Sequence, residues 1–151
     1  MGWARATGAI AAVTVASAMI TSCEKPPPAV TVWSGSDSKY VPAQCWSFDD
    51  EPLDSRTCAE DILAGTRSDG LPTLPTQPGS TFGISVDPVV AEAGWQIRVS
   101  GQPVTTTPIY ENYYRLPYAT PPQTINLQIV AGGTSGTKGA WLVTLEPSTG
   151  S

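Results

Sequence analysis

Alternation of apolar and polar residues is the main signal along this chain. In residues 81–87, Phe82, Ile84 and Val86 fall on one side of an extended chain, and polar or small residues fall on the other. Successive side chains of a strand point to opposite faces, so this two-residue period indicates a half-buried strand. The same period recurs in residues 29–34, 95–99, 125–129 and 140–146.

The segments between these strands are rich in glycine and proline. A second strand over residues 39–46 contains Pro42, which cannot donate to a ladder, so we expect an edge strand or a bulge there. Three prolines predict an irregular edge segment over residues 70–79. The threonines of residues 104–110 favour one more strand, which ends near Pro108.

Six to eight short strands with almost no helical periodicity predict an all-β protein. We expect an immunoglobulin-like antiparallel β-sandwich of about seven strands, after an N-terminal signal helix. The sandwich domain is predicted to span residues 29–147, with residues 148–151 as a disordered tail. Four of the strands supply large apolar residues at alternate positions, which is enough to fill the space between two sheets.

The first 23 residues have the pattern of an export signal. One positive charge, Arg5, precedes an uncharged apolar stretch over residues 6–20, and small residues follow it. The stretch is shorter than the roughly 20 residues that a membrane-spanning helix needs. We therefore interpret residues 1–22 as a cleaved signal peptide.

Ile20-Thr21-Ser22-Cys23 resembles the bacterial lipobox, in which the cysteine becomes the new N-terminus. The resemblance implies that the Cys23 thiol carries diacylglycerol and that a second acylation follows, and two or three acyl chains hold a protein firmly on a membrane. An ordinary cleaved signal, with Cys23 as a spare thiol on a secreted protein, is the alternative. Residues 23–28 include three prolines and predict a short, stiff tether, so the domain should lie close to the outer face of the cytoplasmic membrane.

Setting Cys23 aside leaves Cys45 and Cys58, an even pair in an exported protein. We predict a disulfide between them, which would close a short loop and stabilise the fold by roughly 3 kcal/mol in the chain-entropy model. A metal site is the alternative. Two thiols without any histidine make a poor zinc cage, so the disulfide is the preferred interpretation.

Histidine is absent from the chain, which excludes Ser-His-Asp and Cys-His hydrolysis, imidazole-ligated zinc and histidine general bases. The 13 acidic residues outnumber the 8 basic ones, a balance that argues against a nucleic-acid partner. No cofactor is expected. Carboxylate chemistry remains open, and an envelope hydrolase that pairs Asp87 with Glu111 or Glu92 across a cleft is an alternative.

Acidic residues gather in residues 47–61, where six carboxylates stand against Arg56 alone. Clustered carboxylates are the hard oxygen ligands that calcium takes, so a calcium-dependent adhesion module is a further alternative. No EF-hand spacing is present, and a solvated acidic loop accounts for the same residues. The candidate calcium ligands are Asp49, Asp50, Glu51 and Asp54.

Residues 110–118 are the most aromatic part of the chain, with four tyrosines beside one arginine. They suggest a platform for sugars or aromatic ligands, although tyrosines on a sheet rim produce the same pattern. A binding module of the envelope predicts an exposed aromatic patch here or around Trp33, since soluble monomers seldom leave large apolar patches open. The candidate ligand-binding residues are Tyr110, Tyr113, Tyr114, Arg115 and Tyr118.

Several short motifs along the mature chain carry a family resemblance. In chain order they are Val30-Thr31-Val32, Tyr40, Cys45 with a second cysteine soon after, Gly94-Trp95-Gln96-Ile97, Tyr113-Tyr114-Arg115-Leu116-Pro117 and Ala140-Trp141. Their order and spacing resemble the actinobacterial envelope proteins grouped as domain-of-unknown-function family 2771. The resemblance implies a secreted or membrane-anchored protein, and that family offers no catalytic residues to transfer.

These observations favour a non-enzymatic, membrane-anchored extracytoplasmic lipoprotein. Its expected partners are the membrane, through the lipid anchor, and an envelope protein or glycan of unknown identity.

The mass of the N-terminal peptide tests the anchor. We expect a peptide that starts at Cys23 and carries diacylglycerol, in protein taken from the membrane fraction with thiols alkylated before reduction. Cys45 and Cys58 should stay unlabelled because their sulfurs are already bonded. A soluble chain with an unmodified Cys23 thiol would contradict the lipobox interpretation.

Overall fold

The computed structural model describes residues 25–49, 51–54, 57–58, 60–62, 70–118, 123–132 and 136–148. About half of these residues lie in strands, and a short helix, Pro88–Ala93, begins at a proline; residues 57–58 and 60–62 are also helical. The strands are β1 (Ala29–Ser34), β2 (Asp37–Pro42), β3 (Cys45–Trp46), β4 (Thr73–Thr76), β5 (Thr81–Val86), β6 (Trp95–Val99), β7 (Gln102–Pro103), β8 (Tyr113–Pro117), β9 (Ile125–Ala131) and β10 (Gly139–Pro147).

The strands form two sheets. The first sheet has the order β2-β1-β5-β8, and the second has the order β3-β10-β9-β6-β7 with β4 also paired to β10. All pairings are antiparallel apart from the parallel pairing of β4 with β10. The expected all-β antiparallel sandwich is therefore confirmed. The strands exceed the expected seven because β3, β4 and β7 are short segments that pair along the margins of the second sheet.

The core lies between the two sheets and is filled by the alternating apolar residues that the sequence pattern indicated. Trp95 and Trp141 are its largest fully buried side chains. The first sheet contributes Val30, Val32, Phe82 and Ile84, and the second contributes Ile97, Leu127, Ile129, Val143 and Leu145. At roughly 1.5–3 kcal/mol for each large apolar side chain, this burial is the main stabilising contribution to the fold.

Two local predictions are wrong, and a third is right only in part. Residues 39–46 do not form one strand, because the chain leaves the first sheet after Pro42 and enters the second at Cys45. Residues 70–79 lie at a sheet edge and end in a turn at Pro78-Gly79, as expected, but they are not wholly irregular, because β4 buries Leu74 and Thr76 beside β10. Residues 104–110 make only a single bridge, Ile109 to Trp95, and Val104 is exposed. Pro42 lies on an edge strand, as predicted.

Along one edge of β10, a side chain makes the hydrogen bonds that a neighbouring strand would otherwise make. Strand β3 pairs with Gly139 and Ala140, and β4 pairs with β10 from Thr144 onward, which leaves Leu142 between them. The Gln44 side chain fills this gap, since its Oε1 accepts from the Leu142 N–H at 2.6 Å and its Nε2 donates to the Leu142 carbonyl at 3.4 Å. An amide thus replaces a missing strand residue and satisfies backbone groups that are half-buried.

The start of the domain is fixed by hydrogen bonds at Pro28 and Ala29. The Pro28 carbonyl accepts from the Ala43 N–H at 2.8 Å and from Trp141 Nε1 at 3.3 Å. The Ala29 N–H donates to Asp87 Oδ2 at 2.8 Å. These bonds connect the tether to both sheets, so the chain leaves the domain at a defined place.

The predicted disulfide between Cys45 and Cys58 is present, with Cα atoms 5.9 Å apart. It holds the segment after β3 against the outer side of the second sheet. There Cys58 and Ile62 are buried with Ala140, and Leu71 and Leu142 pack beside them. The outer side of this sheet is therefore partly covered.

The signal peptide, the lipobox with Cys23 and residues 149–151 lie outside the described residues. Within the described part of the chain, no helix has the length and apolar character needed to cross a bilayer.

Replacing Gln44 by alanine tests the side-chain pairing. We expect Gln44→Ala to lower the free energy of unfolding by about 1–3 kcal/mol, because two backbone groups of Leu142 lose their partner. Urea unfolding measures the loss. Gln77→Ala is the matched control, since Gln77 is an exposed residue in the turn after β4. Equal stability of the two variants would contradict the role assigned to Gln44.

Candidate functional site

The outer side of the first sheet presents aromatic and polar side chains. The pairing places Trp33 of β1 opposite Gly83 of β5, and Gly83 opposite Arg115 of β8. One step along the sheet, Ser85 separates Thr31 from Tyr113 in the same way. Because Val30, Val32 and Ile84 face the core, these alternate residues face outward. Three strands thus bring Trp33, Tyr113 and Arg115 to one surface.

Gly83 makes room for the indole of Trp33. A Cβ atom at residue 83 would lie 2.4 Å from both Cε2 and Cζ2 of Trp33, a distance that real contacts do not reach. The indole therefore packs directly against the backbone of the neighbouring strand. Glycine in a strand interior commonly marks such a close approach. The position of Trp33 depends on this missing side chain.

The three side chains form one stacked group. The rings of Trp33 and Tyr113 are nearly parallel, with an interplanar angle of 8° and centroids 6.1 Å apart. The Arg115 Cζ lies 5.1 Å from the centroid of the Trp33 ring, within the range of a cation–π contact. Tyr113 remains 42% exposed, and Arg115 is also exposed. We call the group of Trp33, Tyr113 and Arg115 the aromatic face.

The other predicted ligand-binding residues are not part of the aromatic face. Tyr114 points to the opposite side of β8, where its ring meets Trp95 edge-on at 6.5 Å. Tyr110 is 62% exposed but lies beside Gly94, in the segment between β7 and β8. Tyr118 is buried, and its hydroxyl donates to the Gln123 carbonyl. The predicted set of five therefore divides among separate places.

Trp33 joins this surface although the sequence pattern did not connect it with residues 110–118. Its outward direction follows from the alternation with Val30 and Val32. Its neighbours depend on which strands pair, and β1 is separated from β8 by nearly 80 residues of chain. A pattern read from neighbouring residues cannot predict a contact between strands that lie so far apart in the chain.

The carboxylates considered for hydrolysis occupy ordinary surface positions. Asp87, Glu92 and Glu111 are all exposed. The Asp87 carboxylate accepts the Ala29 N–H, which assigns it a structural role at the start of β1. The Glu111 backbone carbonyl, and not its carboxylate, accepts from Trp95 Nε1 at 2.9 Å. The carboxylate hydrolase remains an untested alternative.

The calcium candidates are only partly described. Asp50 lies outside the described residues, whereas Asp49, Glu51 and Asp54 lie within them. Over the described ranges, no group of three or more His, Cys, Asp or Glu side chains is arranged to hold a metal ion. The Ser47 hydroxyl shapes this turn by donating to the carbonyls of Asp49 and Glu51. Calcium binding stays a prediction.

The fold and the aromatic face together define a β-sandwich with an aromatic surface on the outer side of its first sheet. No family model, curated protein or solved structure was found to match the chain.

Tyr118 makes the stability of the fold depend on pH in the alkaline range. Burial disfavours the phenolate and raises the pKa of Tyr118 above its ordinary value of 10.0. The folded state therefore binds the phenolic proton more tightly than the unfolded state. Its contribution to stability is complete below about pH 10 and is lost as the pH rises through the raised pKa.

We expect the free energy of unfolding of the parent protein to fall more steeply above about pH 10 than that of Tyr118→Phe. Urea unfolding across the alkaline range measures both slopes. Tyr40→Phe serves as the control because Tyr40 is well exposed, and it should keep the slope of the parent protein. Parallel slopes for the parent and Tyr118→Phe would contradict the assigned cause.

Proposed function

We propose that this protein is a membrane-anchored extracytoplasmic lipoprotein that binds a glycan of the cell envelope through the aromatic face, without enzymatic activity. The observation that carries the proposal is the stacked group of Trp33, Tyr113 and Arg115 on the outer side of the first sheet. Rigid strands hold all three side chains, so little conformational freedom is lost when a ligand binds.

The chemistry of the surface suits a sugar. Aromatic rings pack against the C–H faces of pyranose rings, and nearby polar groups bind the hydroxyls. Thr31 and Ser85 lie in the adjacent row of the sheet, and Arg115 has guanidinium N–H donors for hydroxyl or carboxylate oxygens. In such an open site, exposed polar side chains can bind the sugar hydroxyls, so buried polar side chains are not required.

A protein partner fits this surface less well. A stable protein interface buries roughly 800 Å² on each side, and its centre is rich in fully desolvated side chains. The aromatic face consists of three side chains, with Thr31 and Ser85 in the adjacent row and Tyr40 further along that row. Three side chains are far fewer than the roughly 20–30 residues that each side of a stable interface contributes, whereas they match the size of one or two sugar rings.

The contrast between the two sheets also supports the proposal. The segment held by the disulfide packs on the outer side of the second sheet, where Cys58, Ile62 and Ala140 are buried. On the outer side of the first sheet, Tyr40 and Tyr113 remain exposed. Exposed aromatic side chains that gather on one side of a sheet are a common mark of a binding surface.

Anchoring at Cys23 and membership of the actinobacterial envelope family 2771 belong to the same proposal. The export pattern, the lipobox resemblance and the proline tether all favour a domain held at the outer face of the cytoplasmic membrane. The net charge of −5 is consistent with a partner that is not a nucleic acid.

Binding to an array of bacterial cell-wall and capsular oligosaccharides tests the proposal. We expect the parent protein to retain at least one oligosaccharide, and Trp33→Ala and Tyr113→Ser each to weaken that binding by about three- to tenfold, the loss expected for one aromatic stacking contact. Calorimetry on the retained oligosaccharide measures the change. Because the retained oligosaccharide stacks on Trp33, its binding should also shift the tryptophan fluorescence emission of the parent protein and not that of Trp33→Phe.

Tyr110→Ser is the matched control, because Tyr110 is an exposed tyrosine outside the aromatic face. It should bind as the parent does. Equal weakening in Tyr110→Ser, or no retained oligosaccharide at all, would overturn the glycan assignment.

A further inference from the structure

A second apolar surface surrounds the place where the chain leaves the domain. Two adjoining open grooves share Lys25, Trp46 and Phe48. Pro26, Pro27 and Ala43 complete one groove, and Ser47, Val89 and Lys138 complete the other. We call the surface formed by Lys25, Trp46, Phe48, Val89 and Lys138 the tether-side surface.

The apolar part of this surface is exposed and rigidly supported. Phe48 is 54% exposed and Val89 is 38% exposed. Trp46 packs on Trp141 with ring centroids 5.9 Å apart, and it lies over Gly139, where a Cβ would be 2.4 Å from its ring. Exposed Phe and Val beside a half-buried Trp form a contiguous apolar patch, and such patches commonly mark an interaction surface.

The charged side chains that line this surface are both positive, although the whole protein is negative. The chain has a net charge of −5 and contains only three lysines, yet two of them, Lys25 and Lys138, line this surface. The Lys138 Nζ lies 5.8 Å from the centroid of the Trp46 ring. The third lysine, Lys39, belongs to β2 in the other sheet.

The proposed lipid anchor is only two residues from this surface. The Pro28 carbonyl is held by Ala43 and Trp141, and Lys25 lies three residues before it. Cys23 precedes Lys25 by two residues, which span at most about 7 Å when extended. A lipid on Cys23 therefore enters the bilayer beside the tether-side surface.

We propose that the tether-side surface rests on the phospholipid membrane, with Trp46, Phe48 and Val89 at the level of the headgroups and the two lysines on lipid phosphates. Tryptophan is enriched at membrane interfaces, and a lysine beside an anionic surface contributes about 1 kcal/mol. This inference depends on the proposed anchoring at Cys23, which holds the surface at high effective concentration near lipid. The contact fixes the orientation of the domain on the membrane.

Acidic residues moderate the contact. Asp49 and Glu51 follow Phe48 closely and are exposed, so their carboxylates are repelled by anionic lipids. We therefore expect a moderate dependence on anionic lipid. The apolar side chains supply the part of the attraction that remains on neutral vesicles.

The test compares lysines within one protein. The full lipidated chain is reconstituted in vesicles of phosphatidylcholine mixed with phosphatidylglycerol and treated with a water-soluble amine reagent. Mass spectrometry then gives the labelling rates of Lys25 and Lys138 relative to Lys39. The test variant is Phe48→Asp/Val89→Asp, which keeps all three lysines. Val104→Asp is the control, because Val104 is 44% exposed and follows β7, at the opposite margin of the second sheet from Trp46.

We expect the relative rates of Lys25 and Lys138 to rise by about fivefold or more in Phe48→Asp/Val89→Asp, because two apolar contacts with lipid are lost and two carboxylates repelled by anionic lipid are added. Val104→Asp should match the parent. Melting temperatures confirm that each variant is folded. Pure phosphatidylcholine should protect these lysines less than the mixed vesicles do.

Two results would overturn the inference while leaving the anchor intact. One is flotation of the parent with vesicles together with equal labelling in the parent and the double variant. The other is protection that grows with the protein-to-lipid ratio, which would show that a second copy covers the surface. Failure of the parent to float with vesicles would refute the anchoring itself, and this inference with it.

Discussion

Burial of apolar side chains between the two sheets is the constraint on which the rest of the structure depends. Strands β1, β5, β6, β9 and β10 give alternate side chains to this core, and Trp95 and Trp141 are its largest fully buried side chains. The remaining side chains of the same strands must then face outward. On the second sheet the disulfide-held segment packs against them. On the first sheet, Tyr113 is exposed and Trp33 is half-buried among these outward side chains.

Two glycines show how the sandwich holds aromatic rings at its surface. Gly83 admits the indole of Trp33, and Gly139 admits that of Trp46. In both places the missing side chain lets a tryptophan lie against the backbone of a neighbouring strand. One ring belongs to the aromatic face and the other to the tether-side surface. The two surfaces are thus built in the same way, although different partners are proposed for them.

Hydrogen bonds at Pro28 connect the proposed anchor with the proposed binding site. They fix the start of β1, and Trp33 lies on that same strand. A domain held by a short tether and resting on lipid would present the aromatic face in a defined direction. Neither proposal requires catalytic groups, and the chain lacks histidine altogether. The carboxylate hydrolase and calcium-dependent adhesion remain alternatives that separate experiments decide.

The sequence by itself determined the fold class, the disulfide pair and the inward residues of strands β1, β5, β6, β9 and β10, because a period of two and an even cysteine pair are local signals. It also indicated that Trp33 faces away from Val30 and Val32. Only the tertiary structure decided which strands are neighbours, and therefore that Trp33 meets Tyr113 and Arg115 while Tyr110, Tyr114 and Tyr118 lie elsewhere. The choice of strand pairing also explains why the strand expected over residues 104–110 is absent and why β4 forms beside β10. Strand pairing joins residues that are far apart in sequence, and the choice among pairings depends on how the whole core packs.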